Sequence, residues 1–299
     1  MLPGASEHSR IRRLSAALTR RLSILFLIVI TVTVLSIVLV CLAPGLGMDE
    51  QQLDLRLGNQ GVAGVQAENH SPGVFPGIRD YILGLARGDW GVSLSLHRPI
   101  RELFAERAVL SLGTLTAGLL TAWAVSFGAA LVLTWLRRPG LDACATLAAG
   151  AWLCLPAAVV SLLFLYFQGT PGLALAAILF PRIFHYVRNI LQAASRQPYV
   201  MAARARGIRA PALLLRHICR PAAPETLALV GVSISMAVSA MIPVEALCDS
   251  PGIGQLVWQS AAARDLPVLV HLTVLIAIVT CVANLVSDTA GTLVAVEVM

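Results

Sequence analysis

Lysine is missing from this sequence: all 22 basic residues are arginines, set against 16 acidic ones for a net charge of +6. A Walker A loop needs Gly-Lys-Ser/Thr to hold nucleotide phosphates, and Schiff-base chemistry needs a lysine amine, so both are excluded. If ATP drives this protein, another chain hydrolyses it. Charge of either sign is scarce, at 13% of residues where soluble domains carry about a quarter. The six cysteines (Cys41, Cys144, Cys154, Cys219, Cys248, Cys281) contain no C-x-x-C pair and mostly fall in apolar runs, where cysteine behaves as a small packing residue. G-x-S-x-G, H-E-x-x-H and paired intramembrane aspartates are absent too, so an intramembrane hydrolase would lack its nucleophile or metal triad. His185 and His271 stand without carboxylate or cysteine neighbours at ligand spacing and read as packed or hydrogen-bonded side chains. No cofactor or metal is expected in this chain, and no nucleic-acid partner.

What remains is apolar and long: 57% hydrophobic residues and a mean hydropathy of +0.79 describe a chain that lives in a membrane. Charge-free stretches occupy 22–48, 108–136, 143–181, 226–244 and 266–287. A bilayer core needs roughly 20 apolar residues per helix, and the third stretch, too long for one crossing, is interrupted by Gln168-Gly169-Thr170-Pro171-Gly172. The division predicts an all-α membrane protein with six spans, at about 22–43, 109–135, 143–167, 173–194, 224–244 and 266–290. Segment 22–48 is too long for the apolar region of a secretory signal, and it follows a basic N-terminus at 1–21 holding Arg10, Arg12, Arg13, Arg20 and Arg21; it is read as a retained first span. Pro156 and Pro181 are expected to kink their spans.

Arginine placement sets the orientation, because basic loops stay cytoplasmic. With the N-terminus inside, the cytoplasmic segments hold the N-terminal arginines, Arg137, Arg138, and the series Arg196, Arg204, Arg206, Arg209, Arg216 and Arg220. The outer segments are balanced or acidic, so both termini are expected inside. The outer loop 44–108 has an irregular middle, a helical-period run at Phe75, Ile78, Tyr81, Ile82 and Leu85 suited to lying on the membrane surface, and a second short helix over 99–107. Asp288 and Arg188, near the cytoplasmic ends of spans six and four, could pair across the bundle, but are expected to face water.

The most informative stretch is the cytoplasmic loop 195–223. Tyr199-Val200-Met201-Ala202-Ala203-Arg204-Ala205-Arg206-Gly207 offers small alanines for close approach, Gly207 for a left-handed helix end, and Leu213, Leu214 and Leu215 as the start of a second helix. A helix–turn–helix with one apolar and one arginine-rich face suits docking onto a partner protein; the same composition suits contact with anionic lipid heads. At the other side of the membrane, Glu245 beside Pro243 ends span five, where its carboxylate either reads a cationic substrate group or sits in the wet interface and caps the loop.

Residues 199–207 with Arg216-His217 resemble the cytoplasmic "EAA" loop of ABC-importer permeases, in the variant of the dipeptide, oligopeptide and nickel class. Leu42-Ala43-Pro44-Gly45, Gly88-Asp89-Trp90-Gly91-Val92-Ser93 with Arg98-Pro99-Ile100, Pro251-Gly252-Ile253-Gly254 and Ala263-Arg264-Asp265-Leu266-Pro267 match the same family in order and spacing, from about residue 20 to 293. The resemblance implies a type I ABC importer permease fold, with a permease domain over 22–299, in a bacterial inner membrane. It implies a second permease subunit of a different sequence, two cytoplasmic ATP-binding subunits and an extracytoplasmic solute-binding protein as partners, with the lipid bilayer around them. By residue, Ala202, Ala203 and Gly207 would sit in the ATPase groove, while Met201, Arg204, Arg216 and His217 would complete the coupling surface. The substrate would be a small peptide or related solute, moved by alternating access; a diverged copy, or a secondary transporter driven by an ion gradient, is the competing reading. The sequence departs from the family pattern at Met201, Ala202 and Pro198, and in the short outer turn 168–172.

Overall fold

Helices account for all regular structure among the described residues of the computed structural model, which are 90–298 except 94 and 264, with positions 23, 27, 28, 30–32, 34 and 35. The described positions between 23 and 35 are helical. The N-terminal segment, the rest of the first span, the 42–45 motif, Gly88-Asp89 and the surface helix expected at 75–85 lie outside the described residues. Eight helices follow: α1 (Ile100–Leu136), α2 (Pro139–Leu153), α3 (Ala157–Tyr166), α4 (Pro171–Ser195), α5 (Pro198–Ala205), α6 (Ala210–Leu247), α7 (Ile253–Ala262) and α8 (Leu266–Val298). Of these, α1, α6 and α8 are each long and apolar enough to cross a membrane, and α2 with α3 makes a fourth candidate if the bent pair is one span.

Boundaries depart from the sequence reading in three places, one being that the second helix of the loop 195–223 runs without a break into the span expected from 224, as α6. The short helix expected over 99–107 is continuous with the second span, because no glycine or proline after Pro99 interrupts the turns that lead into it. The third span breaks at 154–156 into two helices bent by 90°. Pro156 has no N–H to continue α2 and disfavours helical geometry at Leu155, so its own ψ of 139° opens a new helix. Pro181, by contrast, lies buried inside an unbroken α4. The turn before α4 forms as expected: Gln168 takes a φ of +53°, Thr170 accepts from the Leu173 N–H, and Pro171 occupies the first helical position.

The centre of the bundle is α4, which touches α1, α2, α3 and α6 and buries Leu175, Leu179, Ile183, Phe184, Val187 and Leu191. Against it α1 sets a four-residue repeat of small side chains, Gly118, Ala122, Ser126 and Ala130, all buried. This stripe lets the backbones approach: a Cβ on Gly118 would lie 2.8 Å from Leu175, and Ser126 donates to the Phe180 carbonyl at 3.0 Å. Lipid supplies no hydrophobic contrast, so small residues and interhelical hydrogen bonds hold membrane helices together. The same device joins α6 to α8, where a Cβ on Gly231 would meet Ser287 at 2.7 Å and Asn284 donates to Ser235 at 2.9 Å. Trp123 of α1 donates to Ser233 of α6 at 2.9 Å. The cysteines among the described residues are free, and Cys144 and Cys154 are exposed rather than packed.

Candidate functional site

Two ends of the bundle gather the residues singled out in the sequence. At the first, Trp90 to Ile100 folds into a tight turn: Gly91 takes a φ of +69°, and the Ser93 N–H donates to the Arg98 carbonyl at 3.0 Å. Arg98 then forks onto Glu106 at 3.2 and 2.7 Å, and that hydrogen bond holds the exposed Glu106 carboxyl below its ordinary value. Asp265, just ahead of α8, accepts from the Ser93 hydroxyl (2.5 Å), the Ser95 N–H (3.0 Å) and the Ser95 hydroxyl (2.8 Å). Burial by itself would raise the Asp265 carboxyl, but these donors outweigh it and hold the group below its usual range. Trp90 stacks on His271 with centroids 5.8 Å apart, and the His271 Nδ1 lies 2.7 Å from the Pro267 carbonyl. Two motifs more than 150 residues apart in the chain thus form one knot.

Glu245 lies beside that knot and is fully buried at 0% exposure. Its Oε2 accepts from the Ser111 hydroxyl of α1 (2.9 Å) and the Gly254 N–H (2.7 Å), while the Ser111 oxygen accepts from the Ile253 N–H (2.6 Å). The carboxylate and the serine together satisfy the first N–H groups of α7, the place where a helix leaves donors open and favours negative charge. Gly252 makes room for this: a Cβ there would fall 2.1 Å from Oε2. Arg107 donates to Gln255 (3.1 Å), which donates to Asp249 (2.8 Å), tying the same loop to α1 from the other side. The loop-capping geometry expected of Glu245 is therefore present, but in the interior rather than at a wet surface. Pro243 is half-buried two residues earlier in α6.

The second end carries the arginines. Pro198 starts α5 at its first position, the helix ends at Arg206, and Gly207 takes a φ of +78° while the Ile208 N–H reaches back to the Ala203 carbonyl. Val200 and Ala203, at 0% and 5% exposure, face the chain's own core. Ala203 therefore forms the floor of this surface and not its contact face; Met201, Ala202, Arg204 and Gly207 are exposed. The second helix starts at Ala210, ahead of the three leucines, and its turn Leu213–Cys219 is π-helical. Arg216 is exposed on that turn, and His217 is half-buried with its Nδ1 enclosed and without a hydrogen-bond partner. Mid-helix π turns cost ordinary hydrogen-bond geometry and recur at functional positions.

Arg188 corrects the sequence reading. It neither faces water nor pairs with Asp288: it bonds Asp142 of α2 through both nitrogens, Nε at 2.6 Å, and Gln192 adds a third donor at 2.9 Å. The charge-free count passed over Asp142 because it treats charges as span boundaries. Asp288 is exposed.

The same count passed over Arg182, the twelfth residue of the 25-residue α4 and so close to the middle of that helix, which is not among the four apolar span candidates. Arg182, Tyr186 and Asn189 are exposed along one face with His185 half-buried between them. The large side chains exposed along the middle of α1 and α8 are instead apolar, among them Leu112, Leu120, Val125, Val282 and Val286, while the exposed charges Arg101, Glu102, Glu106 and Asp288 lie nearer the helix ends. A four-then-three spacing of polar residues inside an apolar helix is the signal that would have found this stripe.

Comparison with known proteins agrees with this architecture. A relative from Brucella ovis is 32% identical over 108 residues, covering 36% of this chain and 34% of its own length. The oligopeptide transport system permease protein of Bacillus subtilis is 30% identical over 118 residues, covering 40% and 37%. The glutathione transport system permease protein of Salmonella choleraesuis is 26% identical over 233 residues, covering 70% and 74%. The chain thus spans about a third of the length of the first two relatives and three quarters of the third. The family model of binding-protein-dependent transport system inner membrane components matches residues 129–297, more than half of the chain, from the end of α1 through α8. The chain belongs to that family, and is a multi-pass bacterial inner-membrane protein.

Proposed function

We propose that this chain is one permease subunit of an ATP-driven importer and forms half of a path for small peptides or a related solute. The observation that carries the reading is the exposed polar stripe of α4. Arginine near the middle of a bilayer is expensive when it faces lipid, so intramembrane charges face a bundle interior or a water-filled cavity. A helix that turns Arg182, Tyr186 and Asn189 outward beside others that expose valine and leucine borders an aqueous path shared with a second subunit. Arg182 supplies the fork that suits a substrate carboxylate. The Bacillus relative, an oligopeptide transport permease, and the Salmonella relative, a glutathione transport permease, support the same substrate class.

In this reading the chain has six spans with both termini in the cytoplasm and a permease domain over 22–299. The loop 195–223 couples it to two ATP-binding subunits, and an extracytoplasmic binding protein delivers the solute. Exposed Met201, Ala202 and Arg204 meet the ATPase, Gly207 ends the contacting helix, and Arg216 and His217 flank it. Pro243 and Glu245 stand at the outer end of the path, where Glu245 positions α7 rather than touching solute.

The test is reconstitution of the chain with a candidate second permease, ATPases and binding protein in vesicles, measuring ATP-dependent peptide uptake. Arg182→Leu should cut uptake at least tenfold while leaving assembly and thermal stability unchanged. Uptake without ATP, or an unaltered Arg182→Leu variant, would overturn the assignment. An Asn189→Cys variant should react with a water-soluble thiol reagent under conditions where Val286→Cys does not.

A further inference from the structure

A cavity of about 570 Å³ opens at the arginine end, between the last turn of α1, the start of α2, the end of α4 and α5. Its lining includes Arg137, Arg138, Arg188, Arg196 and Arg204 against Asp142 as the only acid. Asp142 is already engaged by Arg188 and Gln192. Arg137, Arg138, Arg196 and Arg204 are exposed and, among the described residues, form no ion pair. Arg137 turns the chain with a φ of +52°, its N–H held by the Leu133 carbonyl, which brings two adjacent arginines to the rim where the charge-free part of α1 ends.

A second cavity, of about 420 Å³, lies between α1, α2 and α4, one to two turns deeper, and Leu133 lines both. Its wall is apolar throughout: Val132, Ala145, Ala148, Trp152, Phe180 and Phe184 are among its residues. The Trp152 indole N–H is fixed on the Ala177 carbonyl at 3.0 Å, so the ring presents its apolar body to the cavity. Both volumes are in the roughly 300–1,000 Å³ range of small-ligand sites.

We propose that this pair of cavities binds one anionic glycerophospholipid, the phosphate among Arg137, Arg138 and Arg196 and an acyl chain against Trp152, Phe180 and Phe184. Guanidinium forks match phosphate oxygens in number and geometry, and several forks on one rim discriminate an anionic head from a zwitterionic one. The apolar cavity selects a lipid over free phosphate or a nucleotide, neither of which brings anything to fill it. The place fits as well: Arg137 and Arg138 form the link between two apolar helices, and on the orientation proposed above, on which this inference rests, that link faces the anionic cytoplasmic leaflet. The bound lipid bridges the ends of α1, α2 and α4. This site is independent of what the protein transports.

The full-length chain in maltoside micelles is titrated with phosphatidylglycerol, with phosphatidylcholine of the same acyl chains, and with inorganic phosphate, following the thermal midpoint. Phosphatidylglycerol should raise the midpoint at lower concentration than phosphatidylcholine, and phosphate should not. Each arginine beside an anionic head is worth about fivefold in affinity, so the triple variant R137Q/R138Q/R196Q should weaken half-saturation on the order of 100-fold. Ala148→Phe, which fills the apolar cavity without touching charge, should also weaken it. Equal responses to the two lipids, an unchanged triple variant, or full stabilisation by inorganic phosphate would each overturn the proposal. So would a midpoint shift that depends on an added ATP-binding subunit instead of lipid, since the rim would then be a protein interface.

Discussion

Gly252→Ala tests the buried carboxylate at the head of α7. Gly252 has φ −101° and ψ −172°, an extended conformation open to any residue, so alanine there carries no backbone penalty. The obstacle is Glu245, whose Oε2, Cδ and Oε1 would lie 2.1, 2.4 and 2.5 Å from the new methyl. The carboxylate is fully buried and held by Ser111 and Gly254, so the methyl displaces it and strands those donors. Hydrogen bonds to a charged group are worth about 1.5–3 kcal/mol each, and two of them put the loss at roughly 3–6 kcal/mol. Glu245→Ala should cost a similar amount, because it leaves the same donors unsatisfied. The double variant should cost no more than Glu245→Ala alone, since the methyl then has nothing to displace. The coupling energy is therefore large and of the sign that shows a shared cause, about 3 kcal/mol. Thermal midpoints of the purified full-length chain read it directly, at roughly 2–4 °C per kcal/mol for a chain of this size. Additive losses within about 0.5 kcal/mol would refute the latch.

Asp265 has a carboxyl held below its ordinary value, so it contributes stability that is fully present above the unfolded value near 3.9 and is lost as pH falls through the folded value. Thermal midpoints between pH 7 and pH 3 should drop at the acid end in wild type, and Asp265→Asn should flatten that drop. Asp142→Asn should destabilise by about 1–3 kcal/mol, discounted from the buried-pair range because the side chains are 24% and 14% exposed; Asp142→Leu with Arg188→Met should recover most of it in the same melting assay. At the coupling loop, Ala202→Asp should abolish co-purification with an ATP-binding subunit while the protein stays in the membrane. Ala203→Asp should instead lower the amount of folded protein, because that side chain is 5% exposed.

Much of this was legible in the sequence. Charge-free length located the long helices, and Gly-Thr-Pro located the turn before α4, since these are local properties of the chain. Gly207 could be read because only a left-handed cap ends a helix that way. The separate motifs at 90–100, 251–254 and 263–267 were visible one by one, but their meeting through Asp265 and Trp90 was not, because it depends on α1, α7 and α8 packing at one end. Ala203 and Ala202 look identical in sequence, and the helical phase that buries one and exposes the other is set by contact with the π-helical turn. Arg182 and Asp142 were hidden by a reading that took every charge for a boundary. The small-residue repeat on α1 was in plain view at four-residue spacing, and its meaning comes from the helix that fills it.

The central helix α4 also constrains how the protein is made. Arg182 and Arg188 together would cost roughly 5–7 kcal/mol to insert as part of a lone segment, so α4 is a poor candidate for independent release into lipid. Its chemistry is satisfied by segments synthesised before it: α2 brings Asp142 to Arg188, and α1 brings the shallow groove of Gly118, Ala122 and Ser126. The ribosome thus delivers the cradle ahead of its occupant. The expected consequence is that α4 integrates together with α1 and α2 rather than alone, because Arg188 finds its carboxylate only on α2.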